Sequence, residues 1–193
     1  MILLWVDKMA KCKICKREYQ KFSSMQKVCG VTCSIKLVKQ EKEKKFKQKT
    51  NELRVKAKTK SQWLKEAERE FNRYIRARDF YDPCISCRTI KYVQYAAGHY
   101  FTKGGHSELR FNEDNVHKQC NKHCNMMLSG NIAAYRVELE KKIGAERLRI
   151  LEGKHEPKNY TIDDIKKIKE KYKKLAKELE DQIVNNFTIK ADK

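Results

Sequence analysis

Eight cysteines constrain this chain more than any other feature. Cys12 and Cys15 are spaced CxxC, and Cys29 and Cys33 follow as CxxxC. Cys84 and Cys87 repeat the first spacing, and Cys120 and Cys124 repeat the second. Each short-spaced pair supplies one edge of a tetrahedron, and two pairs folded together surround a zinc ion with four thiolates. The pattern therefore predicts two structural zinc sites. A thiol redox protein is the competing reading, and it would hold no zinc. A redox CxxC belongs to a βαβ unit, and none surrounds these pairs. His123, inside the second group, offers a nitrogen in place of one sulfur.

Charge narrows the partner. Lysine and arginine number 45 against 25 acidic residues, a formal charge of +20. Such an excess predicts a polyanion, nucleic acid before an anionic membrane surface. The bland alternative is charge carried for solubility. No stretch approaches the ~20 apolar residues of a membrane span. The opening MILLWV lacks a basic lead and a cleavage site, so it does not read as an export signal. Met9 is an alternative natural start. A reducing cytoplasm is the expected compartment, and cysteines there bind metal more often than they pair.

Four regions follow. Residues 1–35 read as a four-cysteine zinc knuckle with too little apolar material to fold without metal. Residues 36–80 read as a basic helical linker or arm. Ser61 is its expected helix cap, and Trp63, Leu64, Ala67, Phe71, Tyr74 and Ile75 mark one apolar helical face. Residues 81–136 carry the second zinc group, with a strand in IKYVQYAAGHY, a Gly104-Gly105 turn, a second strand before Cys120 and helix from Cys124 onward. Residues 137–193 read as helical. Thr161 and Asp164 form a capping-box-like start, and Ile165, Ile168, Tyr172, Leu175 and Leu179 form a stripe. That stripe is read as core first and as a homodimer seam second.

Between the halves of the second cysteine group lie a strand with His99, a glycine loop, Asn115 and a second strand. This order resembles the zinc-stapled HNH, or ββα-metal, endonuclease motif. The resemblance makes His99 the general base, Asn115 the residue bracing the hairpin, and Asn125 an oxygen ligand for catalytic Mg²⁺ or Mn²⁺. Two departures stand out. Gly98 precedes His99 where many relatives have an acidic ligand, and Asn125 stands where many have histidine. Phosphate oxygens and waters would have to complete the ion's shell. His117 is either a phosphate or metal contact or a hydrogen-bonded structural histidine, and His106 is expected to be exposed. Arg110 and Arg136 are candidate DNA contacts, each weighed against an ordinary surface charge.

CKICKREY, PCISC, AGHY, LRFNEDNVHKQC and the following SGN and YRVEL resemble the phage recombination proteins of the NinG (Rap) family over nearly the whole chain. That resemblance implies a structure-specific endonuclease for branched DNA such as D-loops and Holliday junctions. The expected fold is α+β and mostly helical, with a small N-terminal zinc knuckle, a basic helical spacer, a ββα-metal core with structural zinc, and C-terminal helices. A non-catalytic zinc module that binds DNA is the rival function.

Overall fold

The computed structural model describes residues 9–91 and 93–191, without the side chains of 188–191. The opening MILLWV therefore lies outside the described residues. The chain forms two compact units, residues 1–58 and 59–193.

In the first unit, strands β1 (Met9–Lys11) and β2 (Glu18–Gln20) pair antiparallel, with Ala10 opposite Tyr19. The buried core is Cys12, Tyr19 and Val28, with Ile14, Cys33 and Leu37 against it. Tyr19 Oη donates to the Gln26 carbonyl at 2.8 Å and closes the loop. Helix α1 (Val31–Lys56) begins inside the region read as knuckle and carries Cys33 in its first turn. None of its residues, all of them described, is buried. It is a basic helix open to solvent along its length.

The second unit begins at Thr59, which caps helix α2 (Lys60–Arg78) through a complete capping box. Thr59 Oγ1 accepts from Gln62 N, and Gln62 Oε1 accepts from Thr59 N at 2.8 Å. The expected cap, Ser61, already lies within the helix. Thr59 wins because Gln62, three residues on, can return the hydrogen bond. The 36–80 segment is thus divided between the units, and its second half is core. Trp63, Ala67, Phe71 and Ile75 of α2 pack with Phe111, Val116, Tyr160, Ile165 and Tyr172. Phe71 meets Tyr172 and Phe111 edge to face, with centroids 4.7 and 5.6 Å apart.

Strands β3 (Tyr95–His99) and β4 (Val116–Cys120) form an antiparallel hairpin with Tyr95 opposite Cys120 and His99 opposite Val116. Among the described residues, the strand expected across 90–100 pairs over Tyr95–His99. All five residues of β4 are buried, because both of its faces are covered. A 3₁₀ turn (Ser107–Leu109) lies in the connecting loop.

Helix was expected to run on from Cys124. Instead a wide π-type turn spans Asn121–Met127 and stops. Ser129, Gly130 and Asn131 take left-handed φ of 47°, 93° and 45°, which ends the turn before α3 (Ile132–Ile143). Helices α3 and α4 (Ala145–Leu151) contribute Tyr135, Leu139, Leu148 and Leu151 to a second core with Ile85, Tyr100 and Leu109.

Helix α5 (Ile162–Ala191) starts at the anticipated Thr161–Asp164 box. Its stripe packs on the α2 core through Ile165, Ile168, Tyr172 and Leu175, so that apolar face is used inside the unit. No helix among the described residues is long and apolar enough to cross a membrane.

Phe71 is fully buried at the α2–α5 seam. Phe71→Ala is expected to cost about 3–5 kcal/mol of the second unit's stability, read from denaturant midpoints.

Candidate metal centres and the cleft beside the hairpin

The sulfurs of Cys12, Cys15, Cys29 and Cys33 gather within 4.8 Å of one another, as do those of Cys84, Cys87, Cys120 and Cys124. Neighbouring Sγ atoms lie 3.5 Å (Cys15–Cys29), 3.7 Å (Cys29–Cys33) and 3.8 Å (Cys87–Cys120) apart. A disulfide needs about 2.05 Å. Four thiolates on one zinc, each about 2.3 Å from it, stand roughly 3.8 Å apart. The geometry is therefore that of two four-sulfur sites able to hold zinc.

The two CxxC loops are built alike. Cys12 N donates to Arg17 O and Cys84 N to Thr89 O, both at 2.9 Å, while Lys16 and Arg88 return N–H bonds to Cys12 O and Cys84 O. Lys16 and Arg88, each just after its loop's second cysteine, take positive φ. Burial pushes the Cys12 thiol up, but backbone N–H groups of Cys15, Cys29 and Ile14 outweigh it and bring the pKa to about 6. Backbone N–H groups likewise outweigh burial at Cys84 and lower its pKa. Both shifts favour thiolate, the form that binds metal.

In the second site Cys120 N donates to Cys84 Sγ and Cys124 N to Cys120 Sγ, both at 3.3 Å. His123 Nδ1 stands 3.7 Å from Cys124 Sγ, beside a set already complete with four sulfurs.

The far end of the hairpin borders a cleft of about 400 Å³. His99 from β3, Asn125 from the π turn and Asn72 from α2 line it, with Thr102, Lys103 and Ser129. His99 and Asn125 thus face one space. His99 Nε2 lies 3.2 Å from the Arg110 carbonyl. A carbonyl only accepts, so Nε2 carries the proton and Nδ1 keeps its lone pair. Burial lowers the His99 pKa below 6.5, partly opposed by the Arg110 carbonyl, so the ring is neutral at pH 7.

Asn125 Nδ2 donates to Asn121 Oδ1 at 3.3 Å, and its own Oδ1 accepts nothing among the described residues. Asn72 Oδ1 is buried without a hydrogen-bond partner. Among the described residues no carboxylate lines the cleft. Glu68, one turn before Asn72, is held by Lys103 at 2.7 Å and by Arg110.

Asn115 is fully buried and clamps the loop after β3. Its Oδ1 accepts from Phe101 N at 2.8 Å, and its Nδ2 donates to Phe101 O and Leu109 O. Gly98 has a local cause. A Cβ there would sit 2.3 Å from Gln119 Oε1. Gln119 is fully buried and donates through Nε2 to Ser86 Oγ and Gly130 O. It ties the CxxC loop to the end of the π turn.

Other expected contacts are placed elsewhere. His117 is 2% exposed, with Nδ1 3.3 Å from Tyr135 Oη. It therefore serves as the hydrogen-bonded structural histidine, since a DNA phosphate cannot reach it. Arg110 is engaged with Glu68 and the Lys103 carbonyl, and Arg136 with Glu152 and Glu140. His106 pairs with Glu108 at 3.0 Å.

Asn72 and Gln119 escaped the sequence reading. Asn72 reads as one polar residue in a charged helix. Gln119 follows Lys118 in a strand whose alternation is hidden by burial on both faces.

A family model described as "Bacteriophage Lambda NinG protein" matches residues 6–182. "Protein ninG" of Escherichia phage 933W is 36% identical over 187 residues, covering 88% of this chain and 92% of that protein. "Protein ninG" of Escherichia phage lambda is 45% identical over 122 residues, 63% of this chain and 59% of that one. That of Salmonella phage P22 is 42% identical over 124 residues, 64% of this chain and 61% of that one. No solved structure matches. Fold and sites define an α+β protein with two four-cysteine clusters able to hold metal. The chain belongs to the NinG family of phage proteins.

Two outcomes are expected. Metal analysis of freshly purified protein gives about two zinc per chain, and Cys84→Ser lowers that to about one while loosening the β3–β4 hairpin in circular dichroism. Separately, burial, with the charges of Lys142 and Arg78, drives the His117 pKa from 6.5 to about 3. Between these values the unfolded chain binds a proton that the folded one refuses. Stability is therefore complete above 6.5 and falls as pH drops toward 3. His117→Gln should decline less over that window than the wild type, in parallel denaturant titrations.

Proposed function

We propose that this protein is a metal-dependent endonuclease of the HNH type, which hydrolyses phosphodiester bonds in branched DNA. The observation that carries this reading is the shared cleft. A neutral imidazole on a hairpin and an unengaged amide oxygen on the following turn border one space, on a hairpin whose other end meets the four sulfurs. The hairpin followed by a helical turn supports the ββα arrangement. The charge of +20 supports a nucleic-acid substrate, and phosphate contacts of that kind weaken steeply with salt.

The donors suit a hard cation loosely held. Asn125 Oδ1 and the orphaned Asn72 Oδ1 are neutral oxygens, and the absence of a carboxylate among the described lining residues leaves much of the shell to water and phosphate, as Mg²⁺ accepts. When bound, such an ion stabilises charge on the phosphate and the departing oxygen. His99 Nδ1 takes the proton of the attacking water. The Arg110 carbonyl holds the ring's tautomer and aim through Nε2. Asn115 fixes the loop that carries that carbonyl, because it bonds Phe101 and Leu109 on either side of the glycine turn. Lys103, on the cleft wall and half-exposed, would exchange Glu68 for a flanking phosphate.

The cleft's lack of a carboxylate also favours a second reading, a zinc-containing module that binds DNA without cutting it. One assay separates them. On forked, looped and four-way DNA in Mg²⁺ or Mn²⁺, His99→Ala should lose roughly 10²–10⁴-fold in cleavage rate while keeping affinity and zinc. The wild-type rate should rise with pH along a limb centred below 6.5, then level, because the neutral ring is the active form. A wild type that binds these DNAs and never nicks them establishes the second reading.

A further inference from the structure

The second unit holds another cavity, of about 440 Å³, which the cleft chemistry does not use. Phe80, Tyr81 and Tyr95 give it aromatic walls, and Arg76, Lys91 and Lys118 give it cations. Tyr81 is 65% exposed, and its ring meets Phe80 edge to face at 5.0 Å.

Asp79 and Asp82 act on Lys118, and Glu180 on Arg76, only through space. Lys118 is 8% exposed, and among the described residues its Nζ touches the Phe80 carbonyl, at 2.7 Å, and the Tyr95 ring, 4.6 Å from its centroid. An ammonium has three donors, and taking it from water is costly without an opposing charge. Neither Lys118, Arg76 nor Lys91 forms an ion pair among the described residues. The acidic residue on the wall, Asp82, is held by Lys142 at 2.8 Å. The cavity is thus electropositive, concave and aromatic.

We infer that this cavity binds one unpaired nucleotide of a nucleic-acid strand, its base against Tyr81 and Phe80 and its phosphate on Lys118, Lys91 and Arg76. Aromatic side chains accept any base by its flat face, and the cations track the backbone. A paired base stays in its stack and cannot enter a concave site, so the cavity selects unpaired positions. The overall charge of +20 supplies the complementarity.

Position gives the site a use, which rests on the endonuclease reading above. Tyr95 and His99 are four residues apart on β3 and share one strand face by alternation. At a rise of ~3.3 Å per residue they stand ~13 Å apart, about four stacked nucleotides. A base seated in the cavity would hold the branch point a fixed few nucleotides from the bond opposite His99.

The test uses the full zinc-loaded chain and two end-labelled single strands of equal length, one with bases and one with abasic sugars at its centre. Wild type should bind the base-bearing strand about tenfold more tightly. Tyr81→Ala should erase most of that preference while leaving abasic binding, zinc content and the thermal melt unchanged. Lys91→Gln should weaken both strands and reduce the salt slope by about 0.7. Equal binding of the two strands by wild type, or a preference that survives Tyr81→Ala, overturns the inference. A wild type that prefers bases but cuts nothing keeps this site and removes the endonuclease reading. One that cuts branched DNA yet ignores bases does the reverse.

Discussion

The four sulfurs of Cys84, Cys87, Cys120 and Cys124 are the constraint on which the second unit's geometry depends. A two-stranded hairpin is marginal in water by itself. Here its open end is pinned, because Cys120 is at once the last residue of β4 and a member of the cluster. Tyr95 pairs with Cys120, and from there the register runs to His99 opposite Val116. A slip of one residue would turn every side chain to the other face. The cluster therefore decides which way His99 points, from the opposite end of the strand. Cys124 extends the same control to the π turn, which carries Asn125 at the cleft.

Behind the cleft, buried polar groups hold the elements at fixed spacing. Asp79 is 2% exposed and binds Arg78, Lys142 and the Lys118 backbone N–H. It joins the end of α2, strand β4 and helix α3. Burial raises its carboxyl pKa, but Arg78 and Lys142 outweigh that and hold it at about 2. Tyr135 Oη donates to the Gly98 carbonyl at 3.0 Å, beside His117. A buried polar network of this kind contributes geometric definition when its members find partners. Hydrophobic contact then closes the remainder, with α5 lying along α2.

The sequence was most legible where one local rule acts alone. Cysteine spacing sorted all eight cysteines into the two clusters that the fold gathers, because a tetrahedron leaves little choice. The apolar face of α2 and the Thr161–Asp164 start were equally plain. Legibility failed where distant groups intervene. The end of the turn after Met127 depends on three consecutive left-handed residues, which single-residue propensity does not announce. His117 looked available because alternation placed it near Asn115, yet Tyr135, eighteen positions later, covers it. Resemblance to a known motif singled out His99 and Asn125, which line the candidate cleft, and Asn115, which clamps the loop after β3. Asn72 was not singled out, since it comes from a helix outside that motif and reaches the cleft only through tertiary packing.

Gly98 and Gln119 are one choice made at two positions. The volume that a side chain at 98 would need is occupied by the amide that links the CxxC loop to Gly130. A carboxylate before His99 would displace the Gln119 amide and strain that tie. Substitution at either place alone trades a clash for a gap, so drift through sequence space favours crossing both together.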